Sequence, residues 1–279
     1  MRITRSARSA QLFTLLGVTA VGLSVTAVTL PGEADAAPSH HQSRLTIVLE
    51  HGAFADASSW DGVVQRLERA GYPVVAVANP LRGPANDAAY LRSVVQHIDG
   101  PVVLVGHSYG GTVISQAAAG LEDKVKALVY IAAFLPDTGE SSLGLTNKFP
   151  GSTLGNVIDP VNYTLPDGSQ GADVYIEPDK FHRQFAADVP AGQARLMAAG
   201  QRPIAAAALE EKSTKAAWKT IPSWSLVTTE DLNIPVAAQR FMSHRAHSRT
   251  TEIDASHAVS VSHPDAVTRI VERAARTVR

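Results

Sequence analysis

The chain of 279 residues carries a formal net charge of −1, and 45% of its residues are hydrophobic against 18% charged. This balance is typical of one globular domain with a large core, and the lack of a basic excess argues against nucleic acid as a partner. Cysteine is absent, which excludes disulfides, thiol catalysis and thiolate metal sites.

Residues 1–36 show the pattern of a secretory signal peptide. Early arginines precede a long uncharged apolar stretch, and the small residues Ala34 and Ala36 stand where a signal peptidase reads the chain. We predict cleavage after Ala36, a flexible mature N-terminus at 37–44, and a secreted protein without a stable membrane anchor. The alternative is an uncleaved anchor, because the apolar stretch is long enough to span a bilayer.

From residue 45 onward, short apolar runs alternate with segments of helical periodicity. The apolar runs predict strands at 45–49, 74–77, 102–105, 125–131, 223–227 and 249–253. The periodic segments predict helices at 58–70, 87–98, 112–119, 235–246 and 264–276, with Asn86 or Asp87 as the N-cap of the second. Strands that alternate with helices indicate an α/β fold, with a mostly parallel sheet covered by helices on both faces.

The pattern of apolar and polar residues changes over about 137–222. This stretch has no clean strand pattern, and it contains short helical pieces at 177–187, 191–200, 204–209 and 214–218. An insertion between two parts of an α/β sheet is typical of a cap over the site. We therefore predict one domain at 45–279 that carries a helical cap.

The segment Gly106-His107-Ser108-Tyr109-Gly110 lies between an apolar strand and an Ala-rich helix. A Gly-x-Ser-x-Gly motif in this strand–turn–helix context predicts a nucleophile elbow. The turn holds the serine in a strained conformation, and glycines on both sides relieve crowding. The serine hydroxyl then stands at a helix N-terminus, where free N–H groups favour developing negative charge. Ser108 is the predicted nucleophile.

A serine nucleophile needs a base, and the base needs an acid to orient it. In the order found in α/β hydrolases, Ser is followed by an acid and then by His. Asp231 and His257 each follow a predicted strand in that order, so we assign Asp231 as the acid and His257 as the general base. Glu230, adjacent to Asp231, and Asp254 are the alternative acids.

The oxyanion of the tetrahedral intermediate needs N–H donors. One is the backbone N–H of Tyr109, directly after the nucleophile. The other is expected from the loop after the first strand, from Ala53 or, as the alternative, Phe54. In the same loop His51 is expected to have a structural role, and Phe54 and His107 are expected to line the substrate pocket together with the Tyr109 side chain.

Two histidines, His244 and His247, have a spacing that metals can use. No third ligand is suggested, so a solvated helix face is the better interpretation, and we predict no metal site.

Four motifs occur in an order that characterises a known family: His51-Gly52-Ala53-Phe54 with Ser59-Trp60, Gly106-His107-Ser108-Tyr109-Gly110-Gly111, Asp231 with Ile234-Pro235, and Ser256-His257-Ala258-Val259-Ser260-Val261-Ser262-His263-Pro264. Over residues 45–279 the sequence resembles the α/β-hydrolase superfamily, in the branch of plant methylesterases, cofactor-free hydroxynitrile lyases and related bacterial esterases. The resemblance implies small-molecule ester substrates and catalysis without a metal or organic cofactor.

Two positions depart from the lyases of this branch. Those enzymes carry Lys directly after the catalytic His and Thr after the His of the oxyanion loop, whereas this chain has Ala258 and Gly52. The difference favours an exported serine hydrolase of the carboxylesterase type, which cleaves small carboxylic esters through an acyl-Ser108 intermediate. Two alternatives stay open: a cofactor-free lyase or perhydrolase on the same triad, and a ligand-binding protein with an inactive triad.

Overall fold

The computed structural model describes residues 44–278. The predicted signal peptide at 1–36, and the predicted mature N-terminus except Arg44, lie outside the described residues. None of the helices between residues 44 and 278 has the length and apolar character that a bilayer crossing requires.

The strands and helices alternate along most of the chain. The strands are β1 (Thr46–Glu50), β2 (Val74–Val77), β3 (Val102–His107), β4 (Val125–Ile131), β5 (Ile158–Thr164), β6 (Gln170–Ile176), β7 (Ile204–Ala205), β8 (Ser223–Thr228) and β9 (Arg249–Ile253). The α-helices are α1 (Asp61–Arg69), α2 (Pro84–His97), α3 (Tyr109–Ala117), α4 (Ser142–Asn147), α5 (Pro178–Phe185), α6 (Ala191–Ala199), α7 (Ala206–Glu210), α8 (Val236–Arg245), α9 (Val259–Ser262) and α10 (Pro264–Thr277).

The central sheet has six strands in the order β2-β1-β3-β4-β8-β9, and every neighbouring pair is parallel. The register aligns β1 with both of its neighbours. Leu49 of β1 lies opposite Val105 of β3 and Ala76 of β2. All six strands predicted from the sequence are present in this sheet. The predicted α/β class with a parallel sheet is confirmed.

The sheet has a hydrophobic core on each face, because alternate side chains of a strand point to opposite sides. On one face Val48 and Leu104 belong to a cluster that includes residues of α2, α3 and α8. On the other face Ile47 and Val103 belong to a cluster with residues of α1 and α10. Burial on both faces explains why these strands are continuous apolar runs rather than alternating ones.

Helix α2 begins at Pro84, three residues before the predicted start, and neither Asn86 nor Asp87 is its N-cap. Proline is favourable at the first helical position because its missing N–H would have no partner there. The Asp87 carboxylate instead accepts the N–H groups of Arg82, at 3.1 Å, and Gly83, at 3.3 Å, which precede the helix. Asp87 therefore fastens the loop after β2 to the helix.

The insertion between β4 and β8 is not wholly helical, which corrects the predicted helical cap. Helices α5 and α6 match their predicted positions, but β5, β6 and β7 form a three-stranded antiparallel sheet in this cap. The prediction missed β5 because its side chains are almost all exposed, so the strand carries no apolar alternation. A turn with Gly168 at φ +86° joins β5 to β6.

Candidate active site

Four loops that follow strands of the central sheet carry the predicted catalytic groups. Ala53 follows β1, Ser108 follows β3, Asp231 follows β8 and His257 follows β9. In an open parallel sheet the carboxyl ends of the strands lie on one edge, and sites form there. The fold thus assembles groups that are up to 204 residues apart in sequence (257 − 53).

Ser108 connects β3 to α3 with a strained backbone. Its φ of 54° and ψ of −123° lie in a region that residues with a side chain rarely adopt. Its carbonyl accepts the N–H of Gly111 at 3.0 Å and that of Phe134 at 3.1 Å. These two hydrogen bonds hold the turn in the conformation that the predicted nucleophile elbow requires.

Glycines beside the elbow permit close backbone contacts. A Cβ atom on Gly106 would lie 2.6 Å from the carbonyl oxygen of Gly110, and one on Gly110 would lie 2.5 Å from the carbonyl oxygen of Glu50. A Cβ atom on Gly111 would lie 2.3 Å from the carbonyl oxygen of Phe134, after β4. The glycines therefore pack α3 against the ends of three neighbouring strands, since no side chain fits at these distances.

The base and the acid form a buried pair. Nδ1 of His257 donates a hydrogen bond of 2.7 Å to Oδ2 of Asp231, and both side chains are shielded from solvent. The carboxylate accepts further hydrogen bonds from the backbone N–H groups of Asn233 and Ile234, the amide of Gln239 and the hydroxyl of Thr228. This set of donors fixes the carboxylate and stabilises its charge.

The other two candidate acids lie elsewhere. Asp254 accepts a hydrogen bond from the Thr229 hydroxyl at 2.6 Å in an exposed position. Glu230 is exposed, and its backbone N–H donates to the carbonyl of Ala255. Of the three carboxylates considered from the sequence, Asp231 is the one that contacts the His257 ring.

The loop after β1 lies directly against the elbow. A Cβ atom on Gly52 would lie 2.6 Å from the Cβ atom of Ser108. The Phe54 N–H donates to the carbonyl of Arg202 at 2.9 Å, so it is already engaged. This disfavours Phe54 and favours Ala53 as the expected donor from this loop. The N–H of Tyr109, the first residue of α3, has no partner within the helix.

His51 holds this loop through both ring nitrogens, in agreement with its predicted structural role. Nε2 accepts the backbone N–H of Asn79 at 3.0 Å, and Nδ1 donates to the Gly52 carbonyl at 2.9 Å. The Asn79 amide in turn donates to the His51 carbonyl at 2.8 Å. Burial lowers the pKa of His51 to about 4, so the ring is neutral at physiological pH.

A cavity of about 340 Å³ lies above the elbow, between the core and the cap. Ser108, His257, Ala53, Phe54 and Tyr109 contribute to its floor. The cap lines the cavity with apolar side chains, among them Leu143, Leu154, Ile158, Val174 and Leu209, and also with polar ones, among them Ser142, Asn147 and Asn156. The arrangement presents a serine hydroxyl, an imidazole and free N–H groups to a small apolar molecule.

His107 does not line this cavity, which corrects its predicted role in substrate binding. His107 lies two residues after Val105 on β3, so its side chain points to the same face of the sheet. There its ring packs against the Trp60 ring, with ring centroids 6.2 Å apart. Nε2 donates to the His257 carbonyl at 2.9 Å, and the two imidazole rings are 4.7 Å apart. Burial lowers the pKa of His107 well below its usual range, so it supports His257 as a neutral ring.

Sequence reasoning missed the groups that support the acid and the base from outside the four motifs. Gln239 of α8 donates to Oδ2 of Asp231 at 2.9 Å. Phe185, at the end of α5 in the cap, places its ring edge-on to His257 with centroids 4.9 Å apart. Neither residue belongs to a pattern that points to its partner, because both contacts depend on how distant segments pack.

Known proteins match most of this chain. It is 27% identical over 249 residues to an alpha/beta hydrolase, nvfD, of Aspergillus novofumigatus, a match that covers 82% of this chain and 96% of the relative. It is 26% identical over 229 residues to Methylesterase 2 of Arabidopsis thaliana, covering 74% of this chain and 86% of the relative. The predicted resemblance to plant methylesterases is therefore confirmed.

Solved structures have a similar fold. The crystal structure of polyneuridine aldehyde esterase superposes with a TM-score of 0.72 at 22% sequence identity, covering 83% of this chain and 99% of the other. The model of the alpha/beta hydrolase family matches residues 47–270, which include the elbow, the acid, the base and the cap. This chain belongs to the alpha/beta hydrolase family.

Proposed function

We propose that this protein is a serine hydrolase that cleaves small carboxylic esters. The observation that carries the proposal is the meeting of three features at one cavity. These are a serine on a strained elbow, a buried His257–Asp231 pair, and the N–H groups of Ala53 and Tyr109. Such a set supplies a nucleophile, an oriented base and donors for an oxyanion.

The reaction follows from the roles of these groups. His257 removes the proton of the Ser108 hydroxyl as its oxygen attacks the ester carbonyl, and the N–H groups stabilise the resulting oxyanion. His257 then donates that proton to the departing alcohol, which leaves an acyl-Ser108. Water, deprotonated by His257, releases the acid and restores the serine. Asp231 keeps the proton on Nδ1 and stabilises the imidazolium that forms in each half-reaction.

The volume and lining of the cavity favour small esters as substrates. A cavity of about 340 Å³ that exposes more apolar than polar surface accommodates a small apolar acyl or aryl group. Methylesterase 2 and polyneuridine aldehyde esterase, both among the similar proteins, support the same reaction class by their names. We propose simple carboxylic and methyl esters, hydrolysed by a carboxylesterase-type mechanism without a metal or organic cofactor.

The geometry disfavours the lyase alternative. A Thr in place of Gly52 cannot be accommodated with this backbone, since even its Cβ atom would lie 2.6 Å from Ser108 Cβ. Ala258, where those lyases have Lys, is buried and donates its N–H to the Phe185 carbonyl. Release of an acid, rather than of cyanide or a peracid, distinguishes hydrolysis from the lyase and perhydrolase reactions.

Export is a further part of the proposal. It is supported by the arginines, the apolar stretch and the Ala-x-Ala sequence within residues 1–36. Expression of the full chain, followed by N-terminal sequencing of the protein in the medium, tests it. A mature terminus at Ala37 supports cleavage after Ala36, and retention of the intact chain in the membrane fraction contradicts it.

The catalytic proposal is tested by hydrolysis of p-nitrophenyl esters of increasing acyl length and of aryl methyl esters. We expect the wild-type protein to show a burst of p-nitrophenol, because these activated esters acylate the serine faster than water releases the acyl group. Ser108→Ala should lose both the burst and turnover. A protein that binds esters but releases p-nitrophenol neither in a burst nor in turnover is a ligand-binding protein, and wild-type rates in Ser108→Ala exclude the mechanism.

A further inference from the structure

One short part of the cap contacts both catalytic loops. We call residues 184–188, at and after the end of α5, the clamp segment. On the side of the acid, the amide of Gln184 donates to the carbonyl of Leu232 at 2.8 Å and to the side-chain oxygen of Asn233 at 3.1 Å. The Asn233 amide donates back to the Gln184 carbonyl at 3.3 Å. These residues directly follow Asp231, whose carboxylate accepts the Asn233 N–H.

The clamp segment also binds the loop of the base. The carbonyl of Phe185 accepts the N–H of Ala258 at 2.9 Å. The carboxylate of Asp188 accepts the backbone N–H of Ser256 at 3.2 Å and also the Ser256 hydroxyl. The residues before and after His257 are thus both bonded to the cap.

The ring of His257 is enclosed from two sides by this arrangement. The Phe185 ring, from the cap, lies edge-on at 4.9 Å, and the His107 ring, from the core, lies at 4.7 Å. The core and the clamp segment also bond to the backbone around His257. The His107 ring donates to the His257 carbonyl, and the Phe185 carbonyl accepts the Ala258 N–H. The core therefore contacts the base from one side, and the clamp segment contacts it from another.

Asp188 binds its partners as a carboxylate. Burial raises its pKa, but hydrogen bonds from Ser256 and Ser262 outweigh burial and hold the pKa below its usual range. Nδ1 of His263 lies 3.4 Å from the same carboxylate. A charged acceptor strengthens the hydrogen bonds from the Ser256 N–H and hydroxyl, so the attachment of the base loop to the cap is a strong one.

We propose that the clamp segment positions the catalytic acid and base, so that the cap completes the catalytic pair as well as enclosing the substrate. Gln184 and Asp188 are the positioning residues. The acid and the base stand on separate loops after β8 and β9, and a misplacement of about 1 Å between reacting groups costs about 10²-fold in rate. Loss of the clamp contacts should therefore lower kcat while the cavity still binds substrate. This inference rests on the proposed esterase function.

The structure offers a matched control in the same cap. Asp173 of β6 binds Arg82 of the core at 2.7 Å, and its side chain is 21% exposed. The side chain of Asp188 is 20% exposed. Asp173→Asn thus removes a cap–core ion pair of similar burial that does not touch either catalytic loop. Ser256→Ala removes the hydroxyl contact with Asp188 from the opposite side and leaves the cap sequence intact.

The test compares Asp188→Ala, Gln184→Ala, Ser256→Ala and Asp173→Asn with the wild type, using a short p-nitrophenyl ester. We expect Asp188→Ala to lower kcat about 10- to 100-fold with KM within about twofold. Gln184→Ala and Ser256→Ala should show smaller losses of the same kind. Asp173→Asn should keep kcat. Wild-type kcat in Asp188→Ala, or equal losses in Asp173→Asn, would overturn the proposal.

An NMR measurement keeps the inference testable apart from turnover. The proton that His257 Nδ1 shares with Asp231 gives a far-downfield signal, which should be present in the wild type and in Asp173→Asn. It should broaden or shift in Asp188→Ala and in Ser256→Ala. If the wild type hydrolyses no ester, the proposed function fails while this signal still tests positioning. An unchanged signal in both Asp188→Ala and Ser256→Ala overturns the positioning role.

Discussion

Nδ1 of His257 lies 2.7 Å from Oδ2 of Asp231, and neither side chain is accessible to solvent. The other oxygen of this carboxylate accepts two backbone N–H groups, from Asn233 and Ile234. One carboxylate oxygen thus accepts the imidazole N–H together with the Gln239 amide and the Thr228 hydroxyl, and the other accepts the protein backbone. This division fixes both the orientation of the ring and the nitrogen that carries the proton.

Replacement of Asp231 by asparagine should strongly reduce kcat. In Asp231→Asn the side chain keeps its size, but it no longer holds the imidazole in the tautomer that accepts the Ser108 proton. We expect kcat to fall about 10⁴-fold. The melting temperature should also fall, because the new amide NH2 faces buried donors that the carboxylate accepts. Hydrolysis of a p-nitrophenyl ester at saturating concentration measures the loss.

The neighbouring carboxylates provide the controls for this experiment. Glu230→Gln and Asp254→Asn should keep kcat within about twofold, because neither side chain contacts the His257 ring and surface changes are usually small in effect. A large loss in either of these variants, together with a small one in Asp231→Asn, would move the acid to another position.

Much of this site could be predicted from the sequence, because its chemistry is tied to local patterns. Ser108 stands between an apolar strand and a helix, and Asp231 and His257 each follow a strand in the required order. The choice among the three candidate carboxylates, Glu230, Asp231 and Asp254, needed the structure. Alternation along β8 did not reveal that the loop turns Asp231, and not Glu230, toward the base.

Other features could not be predicted, since they depend on contacts between distant segments. Strand β5 lacks apolar alternation because it is exposed on both faces. His107 was expected in the pocket, but the alternation of side chains along β3 turns its ring toward Trp60. The clamp segment has no motif, and its partners lie about 45 to 75 residues further along the chain.

Addition of one methyl group at Gly52 should disable the oxyanion loop. The new Cβ atom in Gly52→Ala would lie 2.6 Å from Ser108 Cβ and 2.8 Å from the His107 carbonyl oxygen, so the loop must shift. That shift carries the Ala53 N–H away from the oxyanion, and we expect kcat to fall about 10²-fold or more. Steady-state kinetics with a short p-nitrophenyl ester measure it.

Gly192→Ala is the matched control for this substitution. Gly192 lies in α6, and a Cβ atom there meets no other atom within 4 Å. Because alanine is a better helix former than glycine, the control should raise stability by about 0.5 to 1 kcal/mol and leave kcat unchanged. Wild-type kcat in Gly52→Ala would show that this loop supplies no donor to the transition state.

The contribution of His51 to stability should fall when the solution is acidified toward pH 4. Burial lowers the pKa of His51 to about 4 from an ordinary value near 6.5, so between these values the unfolded chain binds a proton that the folded protein excludes. Stability contributed by the neutral ring is complete above pH 6.5 and decreases as the pH falls through 4. The expected decrease from this residue is on the order of 3 kcal/mol.

Urea unfolding at several pH values, followed by circular dichroism, measures this dependence. In His51→Gln the free energy of unfolding should change less between pH 6.5 and 4 than in the wild type. His97→Asn, a change at an exposed position on α2, should keep the wild-type dependence. Equal slopes in the wild type and in His51→Gln would contradict the buried neutral state of this ring.

Glu50, the last residue of β1, should destabilise the protein at neutral pH. Its carboxyl group is fully buried, and neither oxygen has a hydrogen-bond partner among residues 44–278. Burial and the nearby charge of Asp87 raise the pKa of Glu50 well above its usual value. Because the folded state holds this proton more tightly than the unfolded state, stability decreases as the pH rises above 4.5, the ordinary pKa of glutamate.

Glu50→Gln removes the titration and keeps the shape of the side chain, so it should raise the melting temperature at pH 7. The gain should shrink as the pH is lowered and vanish near pH 4, where Glu50 is protonated in both states. Glu68→Gln, on the exposed face of α1, should show no such trend. Differential scanning calorimetry from pH 4 to 8 measures all three proteins, and a gain in Glu50→Gln that does not vary with pH contradicts the expected protonation.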